Sequence, residues 1–197
     1  APLIFGNTGN IGLPLAFFAF GSEGLDYAVL IFALMGIYAF TFGIWVISGG
    51  GAIKKILKEP LVAGTIMGAF FLWQGWETPD FLTSTLELIG QMAIPLMLIT
   101  LGVAIARLKP NNLLRAAEYA LIKFVVCLLV SVSGAYLFNL SHIAFSILVL
   151  QVTTPVAVTS YLLANKYNAD AEAVASLVII STIFSIIYIP VMLIFLV

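Results

Sequence analysis

The stretch Phe5-Gly6-Asn7-Thr8-Gly9-Asn10-Ile11-Gly12-Leu13-Pro14 puts three glycines, two asparagines, a threonine and a proline into an otherwise apolar run. A proline removes one backbone donor and its ring clashes with the carbonyl four residues earlier; glycines beside it loosen the helical ladder further. The run around it belongs to a chain of 197 residues that is 62% hydrophobic and 9% charged, with a mean hydropathy of +1.17. A soluble domain carries roughly 25% charged residues, and 9% cannot cover a water-facing surface. The chain is therefore read as an all-α integral membrane protein whose main partner is the lipid bilayer. In lipid each freed backbone group is expensive, so the interruption at residues 5–14 requires protein or a wet cavity to satisfy it.

Outward from that stretch, polar punctuation separates seven apolar segments: A (about 1–20), B (25–48), C (60–76), D (81–106), E (116–139), F (142–165) and G (171–197). Their lengths suit a hydrocarbon core of roughly 30 Å at 1.5 Å per residue. The runs are continuous rather than alternating, which excludes a transmembrane barrel. Ala1 opens directly into segment A with no basic leader, so the sequence is expected to start partway through a longer protein.

Charge sets the direction. Lys54, Lys55 and Lys58 fall between B and C, Arg107, Lys109 and Arg115 between D and E, Lys123 early in E, and Lys166 between F and G. All eight basic residues thus lie on one side of an alternating seven-span arrangement, with Glu23, Asp26, Glu77, Asp80 and His142 on the other. The positive-inside rule makes the basic side cytoplasmic, so A starts inside and the C-terminus ends outside. Lys123 is read as snorkelling to the cytoplasmic headgroups, leaving no basic residue at the depth of the interruption.

A second interruption, Gln151-Val152-Thr153-Thr154-Pro155, lies in segment F. Either one alone reads as an ordinary kink, but A runs inside to outside and F outside to inside. Two antiparallel broken helices are what inverted-repeat transporters place at a midplane site. Pro14 and Pro155 are expected in the first turn of each second half-helix, where a missing N–H is tolerated. Both half-helix N-termini then aim partial positive charge at one point, and an anion is the natural ligand. The expected substrate-binding residues are Asn7, Thr8, Asn10 and Pro14 from the first break and Gln151, Thr153, Thr154 and Pro155 from the second. Gln91 and Tyr38 are further candidates: Gln91 lines the path or makes an interhelical hydrogen bond, and Tyr38 faces the cavity or packs among aromatics.

The motif Phe5–Pro14 resembles the fourth-helix crossover of the auxin efflux carrier family, which includes plant PIN proteins and bacterial malate or malonate carriers. Gly90-Gln91-Met92-Ala93-Ile94-Pro95-Leu96, with Leu101-Gly102, is similar to that family's seventh helix, and Thr154-Pro155 with Lys166-Tyr167-Asn168 to its ninth. The resemblance implies helices four to ten of a ten-helix fold of two inverted five-helix repeats. Residues 1–48 would end the first repeat and 49–197 form the second, with 60–106 as scaffold and 116–197 as core. It also implies a secondary carrier for a small organic anion such as a carboxylate, working by alternating access in a bacterial plasma membrane. Asn7 matches the asparagine that contacts the substrate carboxylate in PIN carriers, and the scaffold helices imply a homodimer. The family's polar position in segment B is lost near Gly36. A bile-acid-type sodium symporter of related fold, and a non-transporting receptor or channel, stay open as alternatives.

Other functions have little to stand on. A net charge of −1 without a basic, aromatic-interleaved stretch argues against nucleic acid. There is no His-Glu-x-x-His, no second histidine and no phosphate-binding loop, so neither an enzyme nor a metal or cofactor is expected. Cys127 reads as a small buried hydrophobe.

Overall fold

The computed structural model describes residues 3–43 and 60–197. Gly49–Gly51, the lysines at 54, 55 and 58, and the 48/49 boundary between the expected repeats lie outside the described residues. Helix is the regular structure of the described residues, beside one isolated bridge. A π-helical turn, Thr8–Gly12, leads into α1 (Leu13–Tyr38), which ends in a second π-turn, Ala39–Gly43. Beyond it come α2 (Pro60–Gln74), α3 (Asp80–Gln91), α4 (Ala93–Ala106), α5 (Leu113–Leu137), α6 (His142–Thr153), α7 (Val158–Lys166) and α8 (Ala171–Leu196).

Helix α1 is doubled back on itself. Gly21 has φ 65° and ψ −153°, a conformation open essentially to glycine alone. A Cβ at Gly9 would meet the Phe32 ring at 2.8 Å, and Leu13 and Ala16 share a core with Ala28 and Ile147. Residues this far apart in sequence touch only if arms 13–20 and 22–38 run antiparallel. Segments A and B are these two arms. Nothing lies within 4 Å of a Cβ built on Gly21, so Gly21→Ala tests backbone strain without a packing effect. We expect a loss of about 1–3 kcal/mol, read as a lower thermal midpoint in detergent; an unchanged midpoint would place the reversal elsewhere.

Among the described residues, four stretches are long and apolar enough to cross a membrane: Thr8–Gly43 (the doubled arms), Asp80–Ala106, Leu113–Leu137 and Ala171–Leu196. The second is interrupted at Met92 because Pro95 has no N–H and its ring crowds the Gln91 carbonyl. Helices α5, α6 and α8 pack together, and α1 lies against α6. Val149, Leu150, Ile189 and Leu196 form one buried cluster; Val156, Val158, Ala175 and Val178 belong to another. By contrast no residue of α3 or α4 is buried, and Leu72 and Trp73 of α2 are 85% and 82% exposed. An apolar surface this open is made for lipid or for further helices rather than water.

Candidate functional site

Two non-helical stretches meet at the centre of the bundle. Residues 5–7 precede the Thr8–Gly12 π-turn, and residues 154–157 separate α6 from α7. They lie antiparallel, bridged at Gly6 and Val156. The Asn7 N–H donates to the Pro155 carbonyl at 2.7 Å, and the Ala157 N–H donates to the Phe5 carbonyl at 3.1 Å. Gly6 is required by the contact: a Cβ there would run into Thr154 Oγ1.

The backbone groups freed at the end of α6 are met by other elements. Tyr188 Oη of α8 donates to the Thr153 carbonyl at 2.7 Å, and Lys123 Nζ of α5 donates to the Thr154 carbonyl at 2.6 Å. Ser181 Oγ of α8 accepts from the Val156 N–H at 3.0 Å. Three consecutive carbonyls, at residues 153, 154 and 155, are thus held by three different elements. This is how irregular backbone survives at membrane depth.

The snorkelling expected of Lys123 is therefore overturned: it is 5% exposed and bonded at the crossing. The signal lies in the spacing. Lys123 is ten residues past the start of α5 at Leu113, about 15 Å at helical rise, half the thickness of the hydrocarbon core. Ser181 and Tyr188 escape sequence reasoning because a lone hydroxyl in an apolar run gives no pattern to read.

Beside the crossing is a cavity of about 290 Å³. Phe5–Asn10 form one wall, Phe32, Met35, Gly36 and Ala39 of the returning arm a second, Met97 of α4 a third, and Ala157–Thr159 the fourth. The surface-facing starts of α5, α6 and α8 are capped by the side chains of Asn112, Ser141 and Asp170. The two helix starts on the cavity, after Asn7 and after Ala157, carry no side-chain cap. The N–H groups of Thr8, Gly9, Asn10, Val158 and Thr159 take no acceptor among the described residues. Asn7 is 4% exposed and its Nδ2 has no partner, so an uncapped pair of positive helix ends is joined by an idle donor. A cleft of about 390 Å³ with Asn111, Arg115, Tyr119 and Asp170 lies elsewhere, between the starts of α5 and α8.

Of the residues expected at the site, Asn7, Thr8 and Asn10 line this cavity. Pro14 lies in the first turn of α1, as expected. Pro155 does not start α7; it sits two residues ahead of the Ala157 N-cap, in the crossing itself. The N–H groups after it, on Val156 and Ala157, are already bonded. Thr153 Oγ1 donates to the Val149 carbonyl and Thr154 Oγ1 to the Gln151 carbonyl, each at 2.7 Å, so both hydroxyls turn into their own helix. Gln151 is fully buried against Gly12, with neither carboxamide atom partnered. Gln91 is exposed on α3, and Tyr38 is 53% exposed with its ring 5.3 Å from that of Phe42. Neither reaches the cavity.

Known proteins share this sequence pattern. The chain is 29% identical, over an alignment of 204 positions that takes in 94% of its residues, to an uncharacterised transporter of Methanocaldococcus jannaschii, covering 64% of that protein. It is 25% identical, over an alignment of 201 positions that takes in 92% of its residues, to a Rhizobium meliloti protein named "Putative malonate transporter", covering 61% of it. Auxin efflux carrier component 8 of Arabidopsis thaliana is 23% identical over an alignment of 138 positions that takes in 65% of this chain and 37% of that protein. The chain thus spans less than two thirds of the length of these relatives. No solved structure matches. Residues 46–193, well over half of the chain, match the profile of the membrane transport proteins, and the chain belongs to that family.

Proposed function

We propose that this chain forms the substrate site of a secondary carrier that moves a small organic anion, of the carboxylate class, by alternating access. The observation that carries the proposal is the convergence of two uncapped helix starts and the unpartnered Asn7 Nδ2 on one cavity. Neutral donors suit a carrier: among the described residues no lysine or arginine lines that cavity to hold a carboxylate too tightly for release. Phe5, Phe32, Met35 and Met97 offer an apolar wall for the carbon skeleton. At about 290 Å³ the cavity is at the small end of ligand sites, which run from roughly 300 Å³ upward. In this reading Asn7, Thr8 and Asn10 contact the substrate. Pro14, Gln151, Thr153, Thr154 and Pro155 shape the crossing behind them, and Gln91 and Tyr38 act outside the contact shell.

The proposal includes a 5+5 inverted repeat, with the Phe5–Asn7 and Thr154–Ala157 stretches as its paired crossovers. Residues 1–48 end the first repeat and 49–197 form the second, 60–106 as scaffold and 116–197 as core. The basic loops face the cytoplasm of a bacterial cell and the C-terminus faces out. The exposed scaffold helices pair two protomers. The sodium-symporter alternative is separated from this reading by the sodium dependence of binding. The test is binding of malonate, the substrate in one relative's name, to the full-length protein in detergent. Saturable binding unchanged when choline replaces sodium is expected; absence of binding across a panel of small carboxylates would end the anion reading.

A further inference from the structure

We propose that Lys123 is a specificity-determining residue: its ammonium covers the negative end of α6 and biases the crossing towards an anionic ligand. This rests on the reading of the cavity as an anion site. Lys123 is 5% exposed, and Nζ donates to the Thr154 carbonyl at 2.6 Å. Among the described residues no carboxylate pairs with it. A buried cation without a counter-ion is costly. Part of that cost is offset by position, since Thr154 is the C-cap of α6 and the ammonium meets the negative pole of that helix.

Capping one carbonyl does not call for a charge. The adjacent Thr153 carbonyl is served by the Tyr188 hydroxyl, and the Val156 N–H by the Ser181 hydroxyl. A lysine in the same ring of contacts therefore adds something a neutral donor does not, and what it adds is charge. That charge acts close to the ligand. The carbonyl that Lys123 holds is followed directly by the one bonded to Asn7, whose side chain lies on the cavity wall. With α6's negative end covered by the ammonium, the ends left facing the cavity are both positive. Lys123 touches no ligand in this scheme; it works through the field, out of reach of a tight ion pair that would slow release.

The test compares malonate with its uncharged diamide, malonamide, on the full-length protein, with wild type, Lys123→Arg, Lys123→Gln and Lys123→Met. At an effective dielectric near 20, a unit charge roughly 10 Å away changes anion binding about tenfold or more. Lys123→Gln and Lys123→Met should weaken malonate by that factor and leave malonamide unchanged, while Lys123→Arg stays within a few-fold of wild type. Full malonate affinity in Lys123→Gln, which keeps a hydrogen-bond donor, overturns the inference. So does an arginine variant as impaired as methionine, since that marks a steric role. If the neutral variants do not run as monodisperse protein, equal binding of malonate and malonamide by the wild type overturns the inference. Wild-type protein that binds no carboxylate removes the anion site and this inference together; malonate bound at wild-type affinity by Lys123→Gln removes the inference alone.

Discussion

Asn7→Ala should weaken carboxylate binding roughly 10- to 150-fold, the 1.5–3 kcal/mol of one hydrogen bond to a charged group, while leaving the fold as stable as before. The separation is possible because the backbone of Asn7 does its structural work. Its N–H holds Pro155, and its carbonyl accepts from the N–H groups of Ile11 and Gly12 at 3.2 and 3.1 Å. The side chain contributes a buried Nδ2 with no partner. Removing an unsatisfied donor is neutral or mildly stabilising. Affinity and thermal midpoint should therefore part company: the first falls, the second holds or rises. An alanine variant that binds like wild type would remove Asn7 from the site.

Gly6→Ala should do the opposite, with stability as the primary loss. Its Cβ meets Thr154 Oγ1, which is fixed on the Gln151 carbonyl, and both flanking backbones are tied across the bridge. Neither chain can retreat without breaking the bonds at Asn7 and Ala157. Overpacking of this kind costs about 1–3 kcal/mol. Because the obstacle is one hydroxyl, Thr154→Ala in the same protein should restore part of the loss, a coupling that independent sites do not show. Additive effects of the two substitutions in thermal unfolding would refute the contact.

The helices and their approximate bounds are legible in the sequence because each apolar run is long and each boundary is marked by charge, glycine or proline. The placement of the chain crossing is harder to read. Pro14 draws the eye, yet the chain is already helical there, and the non-helical part lies at residues 5–7, before the π-turn. Proline at the first turn is compatible with helix, so it marks the helix beyond a break rather than the break itself. Asn7, Thr8 and Asn10 stand out as a polar cluster in an apolar run. The turned-in hydroxyls of Thr153 and Thr154 do not, because a threonine's choice between its own helix and a ligand is settled by rotamer, which spacing does not encode. Lys123 misleads for a related reason: a long stem reaches the surface or the centre equally well, and only the start of α5 decides.

Helix α4 meets the cavity and the crossing through apolar contact. Met97 lines the cavity beside the π-turn, and Leu101 and Ala104 pack on the cluster that holds Val156 and Val158. Among the described residues no hydrogen bond joins α4 to the π-turn or to α7; the one side-chain bond of the helix, Thr100 to the Met97 carbonyl, is internal. The crossing, by contrast, is riveted through α5, α8 and the Phe5–Asn7 stretch. Apolar contact carries no fixed direction, and methionine adapts its shape. In the carrier proposed above, the seam between α4 and the crossing would serve as a slip plane, since among the described residues no polar bond has to break for the two sides to shear, and the ligand would ride on the riveted side.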